Sequence, residues 1–145
     1  MRFTDPYCHN ASIDVDVPAN VAFDFMADGM KHSEWAFGSA NRRRIDDNLF
    51  VGTSMYSGRD VYVRIVPDPD KLIIDFEVGY DSDNLLPRIM ARIIPGTSIN
   101  REPGICLVTL ISWRAEGMSD SRWHRLCVSH ETQMYLIKHL IESGA

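Results

Sequence analysis

Six strand-like segments follow one another between Asn41 and Ala115, and no connection between them is long enough to hold a crossover helix. Asn41–Ile45 and Leu49–Tyr56 are separated by Asp46-Asp47-Asn48, residues whose side chains bond nearby backbone and so favour turns. Arg59–Val66 and Leu72–Tyr80 are separated by Pro67-Asp68-Pro69-Asp70, a second strong turn signal. In Leu72–Tyr80, Ile74, Phe76 and Val78 alternate with Asp75 and Glu77, giving a dry face and a wet face. Pro87–Ile94 and Ile105–Ala115 come next, joined by the Pro/Gly/Ser/Asn-rich loop Pro95–Gly104. Parallel neighbours need a crossover of about a dozen residues or more, so this succession predicts an antiparallel meander.

Helical and strand signals flank the meander. His9–Val17 alternates Ile13, Val15 and Val17 with Ser12, Asp14 and Asp16, the period of a half-buried strand. Pro18 ends it and suits the first position of a helix, predicted over Asn20–Ala27 and closed by Asp28-Gly29. A second short helical or irregular piece is expected around Lys31–Ala36. The last element is a long helix, roughly Ser121–Ser143. At 100° per residue, Trp123, Cys127, His130, Met134, Ile137 and Ile141 fall within about an 80° arc. Leu126 and Leu140 widen the arc, and Arg125, Thr132 and His139 lie opposite. The expected architecture is α+β: a curved antiparallel sheet of about seven strands gripping the long C-terminal helix, with one or two short helices after the first strand. So little helical cover over such a sheet predicts a gap between sheet and helix. Residues 1–145 are read as one domain, with no repeat, linker or low-complexity segment dividing them.

In this order the sequence resembles the START-like helix-grip (SRPBCC) superfamily, and within it the polyketide cyclase/dehydrase-like group. Ile13-Asp14-Val15-Asp16-Val17-Pro18-Ala19, Val21, Phe23, Asp28, and His32 with Trp35 carry the likeness. They look like that family's opening strand, Pro-Ala helix start, aromatic helix position and His-x-x-Trp element. The Pro67–Leu72 turn, the strand from Gly104 to Trp113 and the terminal helix match in order, so the likeness spans nearly the whole chain. It is specific for fold and poorly specific for function. The superfamily holds lipid carriers, hormone receptors, cyclases and proteins without known activity. It implies a cavity for a small hydrophobic or aromatic, lipid- or polyketide-like molecule.

Composition removes several other classes. Lys+Arg is 15 against Asp+Glu 20, a net charge of −5 that gives no support for nucleic acid or an anionic membrane as partner. Cys8, Cys106 and Cys127 are odd in number and lack CxxC spacing, which predicts reduced thiols and a cytoplasmic location. The N-terminal MRFTDPYCHN has no apolar core of a signal peptide, and no stretch approaches the roughly 20 apolar residues of a membrane span. His124 and His130 are six apart, about 240° around a helix, and cannot share a metal ion. Asp81-Ser82-Asp83-Asn84 resembles the start of a calcium loop, but Leu86 and Arg92 stand where that loop needs Gly and Glu. No glycine-rich phosphate loop and no Ser/His/Asp order is present, so no metal and no cofactor is expected.

Aromatic and thioether residues are the remaining candidates. Trp35, Tyr56, Phe76, Met90, Trp113, Trp123, His130 and Met134 are the expected cavity residues, each alternatively an ordinary core residue. His130 sits in the apolar stripe, either as a hydrogen-bonded core histidine or as a polar group reaching the cavity. Arg42-Arg43-Arg44 reads as a solvated strand face with Arg42 and Arg44 together, alternatively as a binding patch for an acidic partner. The pattern leaves open which way Arg64, Arg88 and Arg92 face, with most of them expected in solvent. Three functions follow: ligand binding, cyclase- or dehydratase-like catalysis with His130 and a nearby Tyr as acid and base, or an interaction module with a vestigial cavity. Catalytic residues cannot be assigned from spacing. In Ile105–Trp113 both alternate sets are apolar, Leu107, Ile111 and Trp113 against Cys106, Val108 and Leu110, which suggests a covered outer face and a homodimer contact.

Overall fold

The alternation in the N-terminal segment forms β1 (Cys8–Val15), which buries Val15 and turns Asn10, Ser12 and Asp14 to solvent. The computed structural model describes residues 5–36 and 38–144; Met1 to Thr4, at the head of the stretch read for a leader, lie outside them. After β1 the chain makes two short helices, α1 (Ala19–Ala27) and α2 (Gly29–Trp35). Pro18 stands just before α1 as its N-cap rather than inside its first turn. Asp28 ends α1 and starts α2, its carboxylate accepting from Met30 N–H at 3.0 Å and Lys31 N–H at 3.4 Å. The stop signal at Asp28-Gly29 is thus also a start signal, which is why the two helices meet without a loop.

The meander then forms β2 (Ser39–Arg44), β3 (Leu49–Ser54), β4 (Asp60–Asp68), β5 (Ile73–Gly79), β6 (Leu86–Pro95) and β7 (Cys106–Trp113). All seven strands make one antiparallel sheet in the order β1-β7-β6-β5-β4-β3-β2. The turn after β4 lies later than its composition suggests, because Pro67 and Asp68 still pair with Ile74 and Ile73. Pro67 is tolerated there because β3 stops at the Leu49–Arg64 pair, leaving that side of β4 as an edge. The turn itself is closed by Lys71 N–H donating to Asp68 Oδ1 at 3.2 Å. The Pro95–Gly104 loop contains one 3₁₀ turn, Gly96–Ile99.

The long terminal helix α3 (Asp120–Glu142) begins at Ser119, whose Oγ accepts from Arg122 N–H at 3.1 Å. It crosses the concave side of the sheet and packs on β1. Its C-terminal half supplies Met134, Ile137 and Ile141 to a core shared with Phe23, Phe25 and Met26 of α1 and the inward residues of β4 to β7. Phe76 sits at the centre, fully buried, with Trp35 edge-on at 6.1 Å and His32 at 5.1 Å. The outward residues of β7, Leu107 and Ile111, are half-buried and pair with Ile94 and Met90 across the outer face.

Gly29 is fixed by packing. A Cβ there would lie 2.1 Å from the ring of Phe50, which is 2% exposed and walled in. In an open helix Gly→Ala stabilises by about 1 kcal/mol. Here overpacking, about 1–3 kcal/mol, outweighs that gain. Gly29→Ala should therefore lower the urea midpoint, and an unchanged or raised midpoint would contradict this packing.

Candidate functional site

Between the β2-to-β6 end of the sheet and the N-terminal half of α3 lies a cavity of about 440 Å³. Its apolar walls come from Trp35, Val61, Val63, Val78, Ile89, Trp113 and Leu126, with Tyr56, Tyr80 and Leu86 partly exposed. Arg42, Arg88, Arg122, His32, His130, Ser129 and Gln133 are its principal polar lining.

Two β-bulges place the strand arginines. Between Ala40 and Arg43 the β2–β3 register slips by one residue, with Asn41 in the left-handed region at φ 54°. In a regular strand Arg42 would face away from Ser39; the extra residue brings both to the cavity. Gly52 of β3 makes the close approach possible, since a Cβ there would meet Ser39 Oγ. The second slip lies between Phe76 and Glu77, which pair with Ile89 and Pro87 and leave Arg88 as the extra residue. Arg88 then lines the cavity beside Ile89, while Arg92 stays on the outer face. Arg42 is thus inside, against the expectation of a solvated strand face, and Arg88 is the inward one of three strand arginines whose facing the sequence leaves open. No alternation pattern reveals a bulge. Arg64 meets that expectation by pairing with Glu77 across the outer face at 3.8 Å.

Four of the eight cavity residues expected from the sequence line the cavity: Trp35, Tyr56, Trp113 and His130. Phe76 and Met134 are buried in the core beside it. Met90, on the outward parity of β6, and Trp123 are half-buried and do not line it. The face of α3 toward the cavity is instead Arg122, Leu126, Ser129, His130 and Gln133, mostly polar and invisible to a hydrophobic stripe. Trp123 stands one residue, about 100°, away from it. Sequence reasoning misses Arg42, Arg88, Arg122 and Gln133 as cavity residues, and it marks His32 only for fold.

The polar lining is poorly satisfied from within. Among the described residues, no partner reaches His32 Nδ1, Trp35 Nε1, Ser39 Oγ, Arg42 Nε and Nη1, Arg122 Nη1 or Gln133 Oε1, all buried. His9 Nδ1 and Arg92 Nε are in the same condition but lie away from the cavity. Folded proteins pair the great majority of such groups, so seven on one cavity is a concentration. Arg122 stacks on Tyr56 at 3.7 Å and Arg59 on Tyr80 at 3.9 Å, and Tyr56 Oη meets Ser129 Oγ at 3.3 Å. His130 Nδ1 is 2.5 Å from Ser112 Oγ, which fixes the ring. Burial holds the His130 pKa down to about 4, with His9 and Arg122 adding to the effect. Burial also pushes His32 well below the ordinary histidine value, helped by Arg42 and His130. The Arg42 guanidinium falls to about 10 through desolvation and stays charged at neutral pH. Among the described residues no group of three or more His, Cys, Asp or Glu could hold a metal ion, and no helix is long and apolar enough to cross a membrane.

The histidines give stability a definite pH dependence. Below about pH 6.5 the unfolded chain takes up protons at His130 that the folded chain refuses until about pH 4. Stability should therefore fall as pH drops through that window, by on the order of 3 kcal/mol for His130. His32 acts in the same direction. Urea midpoints at pH 7 and 4.5 measure the loss, which should shrink in His130→Gln. An equal loss in that variant would rule out a neutral buried His130.

No protein-family model and no curated protein sequence matches the chain. Solved structures do. The di-domain ARO/CYC BexL of the BE-7585A biosynthetic pathway superposes with a TM-score of 0.68 at 15% identity, over 98% of this chain and 47% of that one. A START superfamily protein from Mycobacterium smegmatis gives 0.66 at 10% identity, over 96% and 99%. An uncharacterised protein from Bacillus thuringiensis gives 0.68 at 10%, over 92% and 98%. The seven-stranded antiparallel sheet closed around α3 is thus the START-like, SRPBCC-type helix-grip fold.

Proposed function

We propose that the protein binds a small hydrophobic or aromatic molecule in the cavity between the sheet and α3. The observation that carries this reading is the convergence of unpartnered buried polar atoms from six residues on one apolar-walled space. A volume of about 440 Å³ falls within the roughly 300–1,000 Å³ of small-molecule pockets. A vestigial cavity would be expected to collapse onto its side chains or to neutralise its buried charge. Similarity in fold to a START superfamily protein and to an ARO/CYC protein agrees with the reading.

Catalysis through His130 is the second reading, favoured by the ring held at 2.5 Å from Ser112. A general base works best with a pKa near the working pH. At about 4, His130 is a weak proton acceptor at neutral pH, so binding is the stronger reading.

Val61 faces the cavity from β4 opposite Gly52 and makes no side-chain hydrogen bond, so enlarging it fills space without breaking a network. The neutral fluorophore N-phenyl-1-naphthylamine should bind the wild type with enhanced emission. Val61→Trp should weaken it at least about tenfold while the melting temperature stays within a few degrees. Undiminished binding by a folded Val61→Trp would place the dye elsewhere and defeat the reading.

A further inference from the structure

Among the described residues the cavity lining holds three arginines, Arg42, Arg88 and Arg122, and one carboxylate, the exposed Glu116, in a protein whose net charge is −5. Among the described residues none of the three arginines has an ion pair, whereas Arg64, Arg101 and Arg114 each have one. Arg42 is the sharpest case. Its Nε and Nη1 are buried without a partner, and His32, the neutral ring near it, offers no negative charge. Removing a cation from water is unfavourable unless an anion or a full set of acceptors compensates it. Two separate β-bulges bring Arg42 and Arg88 inward, although regular strands would have left both in solvent. Arg122 is held by its stack on Tyr56, with Nη1 still unpartnered.

We infer that the molecule bound here is an organic anion: an apolar, ring-sized body carrying a carboxylate-type head group that the cavity arginines receive. This rests on the binding reading above and specifies the chemistry of its ligand. The apolar walls take the body, and the guanidinium groups supply the charge-assisted hydrogen bonds that a carboxylate accepts. Among the described lining residues, Glu116, which is exposed, is the one anionic group that would repel it.

The test compares 2-naphthoate with its neutral isostere naphthalene-2-carboxamide, by calorimetry at pH 7.5 on the full chain. The carboxylate should bind at least about tenfold more tightly, and added salt should weaken only the carboxylate. Arg42→Met should erase that preference, the carboxylate losing at least about tenfold more affinity than the amide. Its melting temperature should hold or rise, because the variant removes an uncompensated buried charge. Arg88→Gln should reduce the preference and Arg88→Lys should partly restore it. Equal binding of the two probes, or a preference that survives both Arg42→Met and Arg88→Gln, would overturn the anion assignment while leaving hydrophobic binding intact. Binding of neither probe, nor of the neutral dye, would remove the binding reading and this inference together.

Discussion

Successive side chains on a regular β-strand point to opposite faces, and the chemistry of this cavity depends on two local breaks in that rule. The bulge at Asn41 and the bulge at Arg88 each add one residue to one strand and so reset which side chains face inward. Outside those points the alternation builds an ordinary dry interior: Val63 and Ile65 on β4, Ile74 and Phe76 on β5, Ala91 and Ile93 on β6. At the bulges it delivers a guanidinium into the same interior. The bulges therefore divide the concave face of one sheet into a closed half and a charged half.

Helix α3 repeats the division along its own length. Met134, Ile137 and Ile141 close the core, while one to three turns earlier Arg122, Ser129 and His130 face open space. Gln133 marks the boundary, buried and with Oε1 unpartnered. The anchored end has further ties: Lys138 Nζ donates to Asp14 O at 2.6 Å, and Asp16 N–H donates to Glu142 Oε2 at 2.8 Å. The helix is thus pinned to β1 at the end away from the cavity. A cavity under the other end can persist because the packing that stabilises the fold does not require that end to be filled.

How much of this is legible in the sequence follows from what periodicity can see. Most of the strands and α3 are readable because each carries a consistently apolar face, and apolar alternation is what burial selects. Strand β2, Ser-Ala-Asn-Arg-Arg-Arg, is legible only from its place before the Asp46–Asn48 turn. Trp35, Tyr56, Trp113 and His130 can be picked out because large aromatic and imidazole groups stand out in composition, whatever holds them. Phe76 and Met134 come with them because a core side chain and a cavity side chain look alike when only their apolarity is read. Arg42, Arg88 and Arg122 are hidden for the opposite reason. Charge in a sequence reads as solvent, and a bulge that reverses this leaves no compositional trace beyond Asn41, a residue that tolerates positive φ. The turn at Pro67 reads too early for a related reason, since nothing local shows that β3 ends before reaching it.

The arginines of this chain themselves show what a structural guanidinium requires. Arg114 lies over Tyr7, donates through Nε and Nη2 to Met118 O, and pairs with the Asp120 carboxylate at 2.8 Å. That arrangement satisfies both the charge and the donors, and it ties the end of β7 to the start of α3. Arg122 has the aromatic stack without the carboxylate, and Arg42 has neither. Stacking orients a guanidinium by covering its face and leaves its in-plane donors directed outward. In the protein interior such donors gain more from an anionic acceptor than they would in water. Among the described residues the same fold thus contains an arginine completed by the chain in Arg114, while Arg42 and Arg122, with buried donors left unpartnered, line one cavity.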